Sequence, residues 1–122
     1  MIKYLGFGLN INSEIEFPEL LEGNFITPDI EILFGKVPEI KDAINCLLPN
    51  FEYNINVKEF TFNVKNIAIY YAKDGKQVIV EPVCEIKNMR NIRLYILATV
   101  MAAILLQRKL IPLHSSAITY KD

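Results

Sequence analysis

The chain has 122 residues, 52% of them hydrophobic and 22% charged, and its formal net charge is −1. This length is typical of one domain and suffices to bury a core. A net charge near zero gives no general indication of nucleic acid or an anionic membrane as a partner. The charge is uneven, since residues 1–60 carry ten acidic and four basic side chains (−6) and residues 61–122 carry four and nine (+5). Either this asymmetry marks a docking surface or, as we expect, the two halves lie side by side and neutralise each other.

The first half of the chain predicts two strands separated by a loop. The stretch "IKYLGFGLNI" is interpreted as one strand, in which Gly6 and Gly8 allow a close approach of another backbone. The stretch "SEIEFPELLEG" is a loop or a short helix, and residues 30–34 form a second strand that Gly35 closes. The stretch "EIKDAINCLL" favours one or two helical turns before Pro49.

The middle of the chain is typical of antiparallel strands. Apolar and polar residues alternate in "FEYNINV" and again in "FTFNVKN", and period-two alternation indicates half-buried strands. Asp74 and Gly75 form a tight-turn pair between two β-rich runs, which predicts a hairpin.

A long helix is predicted from Asn88, a suitable N-cap, to Arg108. Its apolar core, residues 94–106, would span about 20 Å, which is short of the roughly 30 Å of bilayer hydrocarbon. We therefore expect a buried helix rather than a membrane segment. Because the helix is apolar nearly all round, we expect it to be covered on more than one side. After Pro112, "LHSSAITY" predicts a final strand.

These elements predict an α+β fold, in which an antiparallel or mixed sheet of about five to seven strands packs on one long helix, residues 88–108. The two cysteines, Cys46 and Cys84, stand apart without the spacing of a zinc site or a disulfide framework, so no metal ligands are expected. Free thiols fit a reducing cytoplasm, and the N-terminus lacks the pattern of a signal peptide. Frequent Ile, Asn and Lys suggest an AT-rich bacterial genome.

The sequence lacks the motifs of nucleotide binding and of nucleophilic catalysis. "GFG" at 6–8 is not a GxGxxG fingerprint, because position 11 is Ile11, and no GxxxxGK[ST] occurs. His114 and Ser116 would share one face of a strand about 7 Å apart, which is too far for a ready hydrogen bond. No catalytic triad can be inferred from them.

Two charged groups are candidates for binding. Four glutamates at positions 14, 16, 19 and 22 form an acidic cluster, which we interpret as a solvated surface. Arg90 and Arg93 share a helical face near an N-terminus, where the helix dipole disfavours cations. Their acidic partner is a protein substrate, a phosphate group, or the acidic first half of the chain itself.

The stretch "RLYILATVMAAILLQRKLIPLHSSAI" resembles a segment of bacterial HPr kinase-like proteins. In that family a long apolar helix ends in an R-x-x-x-P-L-H-x-S-x-[VI] run. The matching residues here are Arg108, Pro112, Leu113, His114, Ser116 and Ile118. The opening "GLNINSEIEFPEL" is also similar to the family's first strand and acidic-apolar loop. Ser115 stands where the better-known HPr kinase/phosphorylases have Gly, so the resemblance is to the looser kinase-like group, some of which accompany peptide-modification systems.

The resemblance implies that residues 1–109 are an N-terminal α+β domain and residues 110–122 the first strand of a P-loop kinase core, unless 1–122 form a single domain. The GxxGxGKS loop, catalytic lysine and magnesium ligands would then lie downstream of Asp122. ATP and Mg²⁺ would belong to the intact protein rather than to this chain. His114 and Ser116 would lie near the nucleotide.

Two functions are therefore expected. The first is the non-catalytic N-terminal portion of a cytoplasmic ATP-dependent serine kinase that acts on a protein or peptide, silent by itself. The alternative is a stand-alone protein-binding or dimerisation module. An exposed terminal strand predicts that the chain either forms a homodimer or buries that strand against its own sheet. Whether the intact protein is an enzyme is left open by the sequence.

Overall fold

A computed structural model describes residues 1–83, 89–113 and 116–119. For residues 111–113 and 116–119 it describes the backbone alone. Within these residues, nine strands form one mixed sheet and a single helix packs against it. This confirms the α+β class and the mixed sheet. The sheet is larger than the five to seven strands predicted, because the N-terminal segment forms two strands and two segments predicted as other structure add strands at the ends of the sheet.

The strands follow one another along the sheet in the order β3-β1-β2-β4-β9-β8-β7-β6-β5. β4 is parallel to both of its neighbours, β2 and β9, and all other pairs are antiparallel. The strand bounds are β1 Ile2–Gly6, β2 Leu9–Ser13, β3 Leu21–Glu22, β4 Ile30–Phe34, β5 Ile44–Leu47, β6 Phe51–Ile55, β7 Glu59–Val64, β8 Ala68–Lys73 and β9 Gln77–Pro82.

The N-terminal segment is a hairpin rather than the single strand predicted. Phe7 and Gly8 have φ angles of 56° and 74°, and these two left-handed residues form the turn between β1 and β2. Such a turn matches the twist of antiparallel strands. A residue with a Cβ disfavours positive φ, so Phe is rare at the first position of such a turn. The residue types therefore gave no signal of a turn here, and the prediction of a single strand was wrong.

The stretch predicted as helical turns before Pro49 is instead the edge strand β5, paired with β6. Asp42 adopts a φ of 53°, which interrupts a right-handed helix just before the strand begins. Only a few residues are left between this turn and Pro49. A helix that short is unstable alone, whereas the ladder of β6 supplies hydrogen-bond partners.

The predicted strand at residues 30–34 is confirmed, and so are the antiparallel strands that follow it. β6, β7, β8 and β9 form a meander in which each strand pairs with the next. The predicted hairpin turn is confirmed at Asp74 and Gly75, whose φ angles are 54° and 64°. The connection has three residues, and the Lys76 N–H donates to the Lys73 carbonyl at 2.9 Å across the left-handed Asp74 and Gly75.

Helix α1 spans Met89–Gln107, 19 residues, and contains a π-helical stretch at Ile96–Val100. Its buried residues Ile92, Ile96, Val100 and Ile104 recur every four positions. A four-residue repeat exceeds the 3.6 residues of an α-helical turn, so a wider turn helps to keep these residues facing the sheet. The predicted N-cap, Asn88, lies outside the described residues.

The outer side of α1 is exposed. Leu94 and Leu106 are 59% and 61% exposed, and Ala98 is exposed between them. By length and composition the helix also meets the requirements of a membrane span, with 33% of its apolar window buried. The predicted burial of the helix is therefore confirmed for one side. Within the described part of the chain, no second layer covers the other side.

The chain after α1 forms a separate two-stranded antiparallel sheet of β10 (Leu110–Leu113) and β11 (Ser116–Thr119). The predicted final strand, residues 113–120, is confirmed at Ser116–Thr119, whereas the strand at Leu110–Leu113 was not predicted. His114 lies outside the described residues, and of Ser116 only the backbone in β11 is described. The division into domains at residue 110 stays a prediction.

Candidate functional site

Arg93 forms an ion pair within the chain. Its Nε donates to both carboxylate oxygens of Glu19, at 3.0 and 3.1 Å. Arg108 and Asp29 form a second, longer pair at 3.8 Å between Nη2 and Oδ1. Both pairs join an acidic residue of the first half of the chain to a basic residue of the second half. This supports the expectation that the two halves neutralise each other.

The two arginines predicted to bind a partner therefore differ in their environment. The Arg93 side chain is 17% exposed, and its guanidinium is already bound by Glu19. Arg90 is exposed, and within the described residues it forms no ion pair. Partner binding by these arginines stays a prediction, and Arg90 is the more exposed of the two.

A cavity of about 580 Å³ lies beside Arg93. Its walls are mainly apolar, with two carboxylates at the rim. The residues around it are Glu14, Ile15, Glu16, Phe34, Pro82, Met89, Ile92 and Arg93. Glu14 has a structural role there, because its Oε1 accepts the backbone N–H of Phe34 at 3.0 Å. The cavity suits an apolar side chain more than a strongly charged ligand.

A second concave site, which we call the polar cleft, lies on the face of the sheet opposite α1. Alternation along β6 and β7 places their polar residues on this face. Asn54 is paired with Thr61 and Glu52 with Asn63, so four polar side chains meet on two adjacent strands. The cleft has a volume of about 280 Å³ and is completed by Val37, Pro38, Glu39, Ile40 and Ile69.

The loop over the polar cleft is anchored at both ends. Near its beginning, the Val37 N–H donates to Glu81 Oε1 at 2.8 Å, and the Gly35 N–H donates to the Val80 carbonyl at 3.0 Å. Near its end, Asn56 Nδ2 donates to the Lys41 carbonyl at 3.0 Å. The cleft thus lies between the sheet and a tethered loop.

Polar groups in the cleft are positioned but not all paired. Asn45 Nδ2 donates to Glu52 Oε2 and to Asn54 Oδ1, each at 2.8 Å. Thr61 is only 8% exposed. Within the described residues, the side chains of Thr61 and Asn63 form no hydrogen bond. Glu39 and Glu52 line the cleft and no basic residue does, so it favours hydroxyl or ammonium groups.

No family model, curated protein or solved structure matches this chain. The resemblance to HPr kinase-like proteins therefore rests on the residues quoted for it.

Sequence reasoning missed the polar cleft. The residues Glu52 and Asn54 were recognised as the polar side of an alternating strand, which is the usual pattern of a solvated face. What turns this face into a cleft is the loop of residues 36–41, and no local pattern predicts where that loop lies. The run of polar residues at alternate positions in two successive strands was the available signal.

A short hydrogen bond joins β7 to β8. The Tyr71 hydroxyl donates to Glu59 Oε2 at 2.5 Å, and Asn56 Nδ2 donates to Glu59 Oε1 at 3.2 Å. The Tyr71 bond, with that of Asn56, lowers the pKa of the Glu59 carboxyl. Burial, followed by the nearby Glu59 carboxylate, raises the pKa of Tyr71. A phenol that holds its proton this firmly is a poor general acid, and we therefore interpret the pair as a link between the two strands.

Among the residues that the structure describes, no three His, Cys, Asp or Glu side chains are grouped so that they could hold a metal ion. His114, a predicted neighbour of the nucleotide in the intact protein, lies outside these residues. The structure consequently places the described candidates at two separate locations: Arg90 and Arg93 on the first turns of α1, and the polar cleft on the opposite face of the sheet.

Proposed function

We propose that this chain is the non-catalytic N-terminal portion of a bacterial, cytoplasmic HPr kinase-like protein, in which it serves as scaffold and substrate-recognition region. The intact protein would transfer a phosphoryl group from ATP, with Mg²⁺, to a serine of a protein or peptide. Such chemistry depends on positioning and electrostatic stabilisation, which P-loop and metal ligands provide. Those groups belong to the part of the proposed protein beyond this chain.

The observation that carries the scaffold proposal is the exposed outer side of α1. A helix that is apolar on all sides is normally covered by more than one layer. Here one side packs on the sheet, and Leu94 and Leu106 on the other are about 60% exposed. α1 leads directly into β10 and β11, and these strands include Pro112, Leu113, Ser116 and Ile118 of the run that resembles the kinase family. A kinase core that begins in this segment would lie close enough to cover this side.

The polar cleft supports the recognition role. Its carboxylates, Glu39 and Glu52, lie near Thr61 and Asn63, whose side chains form no hydrogen bond within the described residues. This combination favours a serine-bearing segment with a basic side chain, whose ammonium group would meet the carboxylates. The apolar residues Val37, Pro38 and Ile69 would contact its aliphatic stem.

The coding sequence after Asp122 provides the first test. We expect a GxxGxGKS loop within about twenty codons, at the spacing that the resemblance implies. The longer product should bind ATP with Mg²⁺ in calorimetry, whereas residues 1–122 alone should not. A variant with alanine for the lysine of that loop is the control. A stop codon directly after Asp122, or ATP binding by residues 1–122, contradicts the proposal.

The recognition role has its own test in the longer product. Asn63→Ala and Glu52→Gln should each lower kcat/KM for a basic serine peptide about tenfold and leave ATP hydrolysis without peptide unchanged. Asn91→Ala, at an exposed position on α1, is the matched control and should change neither rate. Equal effects on both rates would show that the cleft supports the fold and does not recognise the substrate.

The alternative function is a stand-alone protein-binding or dimerisation module. The exposed apolar residues at the β5 edge of the sheet favour it, because such surfaces commonly mark interaction sites. A stop codon after Asp122 together with a stable dimer in solution would establish this alternative over the kinase proposal.

A further inference from the structure

The edge strand β5 has the features of a site for pairing with another strand. All four of its residues are exposed, including Ile44 and Leu47 at 75% and 74%. Proteins commonly protect such edges with lysine, proline, bulges or very short strands. β5 has neither lysine nor proline within its bounds. The opposite edge of the sheet is protected, since β3 has only two residues.

The hydrogen-bond pattern of β5 shows which of its backbone groups are available. Leu48 and Phe51 exchange two backbone bonds, at 2.8 and 3.4 Å. In an antiparallel ladder, hydrogen-bonded and non-hydrogen-bonded pairs alternate. Ile44 and Cys46 therefore direct their N–H and C=O groups towards β6. Those of Asn45 and Leu47 point away from the sheet, at its open edge.

We propose that two copies of this chain pair through β5, antiparallel, about a two-fold axis that passes between their Cys46 residues. In this register Asn45 of each copy lies opposite Leu47 of the other. The outward groups of these two residues then form four backbone hydrogen bonds, two from each copy. The sheet continues from one copy into the other.

The same register also brings compatible side chains of the two copies together. Ile44 and Cys46 lie opposite Ile55 and Tyr53 on β6, on the face that carries α1. In the dimer, Ile44 meets Leu48 of the second copy on this face, so two exposed apolar side chains are covered together. No residue of β5 is charged, and identical strands therefore meet without like-charge repulsion.

A second copy fits this edge better than a longer unrelated strand. Asp42, with its φ of 53°, turns the backbone just before the strand, and Pro49 follows shortly after it. Only Asn45 and Leu47 offer outward groups inside the strand. A two-fold pair of equally short strands satisfies both residues in each copy. Each copy contributes the same surface to the interface, as closed two-fold symmetry requires.

An apolar groove of about 360 Å³ adjoins this edge on the same face, between β6 and α1. Its apolar walls include Ile55, Val57, Ala103 and Leu106. Pairing through β5 brings the grooves of the two copies onto one side of the continuous sheet. Such pairing does not require a kinase core, because the β5 edge is the same in a portion of a larger protein and in a stand-alone module.

Analytical ultracentrifugation over a range of concentrations tests the dimer. Residues 1–122 should form a dimer that Asn45→Pro weakens at least tenfold, since proline removes an outward N–H in each copy and leaves the β5–β6 bonds intact. Asn45→Ala is the matched control for the lost side chain and should dimerise like the original chain. Unchanged circular dichroism would show that both variants fold. A monomer at all concentrations, or a dimer insensitive to Asn45→Pro, overturns the proposal.

Cys46 reports the register directly, because its thiol is exposed and free. Non-hydrogen-bonded partners have Cα atoms about 4.5 Å apart, within the range of about 4.4–6.8 Å that a disulfide spans. In a Cys84→Ser background, diamide should oxidise the two Cys46 thiols to a covalent dimer. Moving the cysteine by Cys46→Ser with Ile44→Cys should slow this crosslinking at least tenfold. Equal rates, or no crosslink through Cys46, would exclude the proposed register.

Discussion

The sheet differs sharply between its centre, beneath α1, and its wing of β5 and β6. At the centre, Ala72, Val78 and Val80 are fully buried, and Tyr70 is buried with them. On the wing, Ile44 is exposed, and Val57 just beyond β6 is 96% exposed. Both regions are regular antiparallel strands with alternating patterns. Alternation therefore tells which side chains share a face, but not whether anything covers that face.

The difference follows from the width of the covering layer. An α-helix with its side chains is about 10–12 Å wide, and neighbouring strands are about 4.8 Å apart. One helix thus covers two or three strands, and this sheet has nine among the described residues. On the N-terminal side, Ile15 and Phe17 of the loop after β2 are buried against the sheet. Within the described part of the chain, Ile44 and Leu47 of β5 have no comparable cover.

Replacement of one apolar residue in each region should give the largest contrast. Phe62→Ala should lower the free energy of unfolding by about 3–5 kcal/mol, because a buried ring leaves a cavity. Phe62 is 1% exposed and stacks on Tyr53 at 4.7 Å between ring centroids. Ile44→Ala should change it by no more than about 0.5 kcal/mol. Urea denaturation of the dilute, monomeric chain measures both, and a loss above about 1 kcal/mol for Ile44→Ala would show that the wing is covered.

The two left-handed glycines provide the next contrast. Gly75→Ala should lower the free energy of unfolding by about 2 kcal/mol. The added Cβ would strain the left-handed backbone and would lie 2.5 Å from Arg108 Cγ. Gly8→Ala should cost about 1 kcal/mol, because its φ is also positive but nothing lies within 4 Å of the added carbon. Thermal unfolding of the two variants checks the order. Equal losses would mean that the contact with the end of α1 contributes nothing.

A smaller loss of stability is expected from removing a hydrogen bond between α1 and the centre of the sheet. The Tyr70 hydroxyl donates to the Ile92 carbonyl at 3.0 Å in a buried position. Tyr70→Phe should cost about 1–2 kcal/mol, because a buried bond is lost and an acceptor is left without that donor. The control is Tyr53→Phe, on the half-buried strand β6, which should be nearly neutral. Protection of the Ile96 amide in hydrogen exchange should fall in the first variant and not in the second.

The smallest effect concerns pH at the Glu59–Tyr71 pair. Because the pKa of Glu59 is lowered in the folded chain, its contribution to stability is full above the unfolded pKa, about 4.3, and is lost as pH falls through the folded pKa. Because the pKa of Tyr71 is raised, its contribution is full below about pH 10 and is lost at higher pH. The stability difference between the original chain and Tyr71→Phe should thus be constant near neutral pH and narrow on acidification.

A carboxyl titration by nuclear magnetic resonance gives the matching site-specific measurement. In Tyr71→Phe the pKa of Glu59 should rise towards its ordinary value, since the lost bond is the largest cause of the shift. Asn56→Ala should produce a smaller rise in the same direction. An unchanged Glu59 pKa in Tyr71→Phe would contradict the assigned cause.

Residue patterns predicted the elements whose signals are local. The strand at residues 30–34, the meander, the turn at Asp74 and Gly75 and the long helix all followed from alternation, turn pairs or length. The turn at Phe7 and the strand β5 did not, since in each case a weak local preference was overridden by pairing with a neighbouring strand. The pairing of β4 between β2 and β9 was also beyond local reasoning.

The candidate site was less predictable than the fold. Arg93 was recognised as a residue with an acidic partner, and the structure shows Glu19 of the same chain in that place. The polar cleft depends on a loop that crosses strands distant in sequence, so its members were seen only as separate polar positions. Which outward backbone groups of β5 are available could not be known before its pairing with β6 was known.

The parallel pairing of β4 with β9 has a consequence for the order of folding during synthesis. Glu31 lies opposite Gln77, so this pairing joins positions 46 residues apart. The meander from β6 to β9 closes through short turns, whereas this pairing requires a long loop to close and is slower. On the ribosome, β4 is complete well before β9 exists. One side of β4 therefore stays without its strand partner until about two-thirds of the chain has been translated, and during that interval the nascent chain is most open to misassociation.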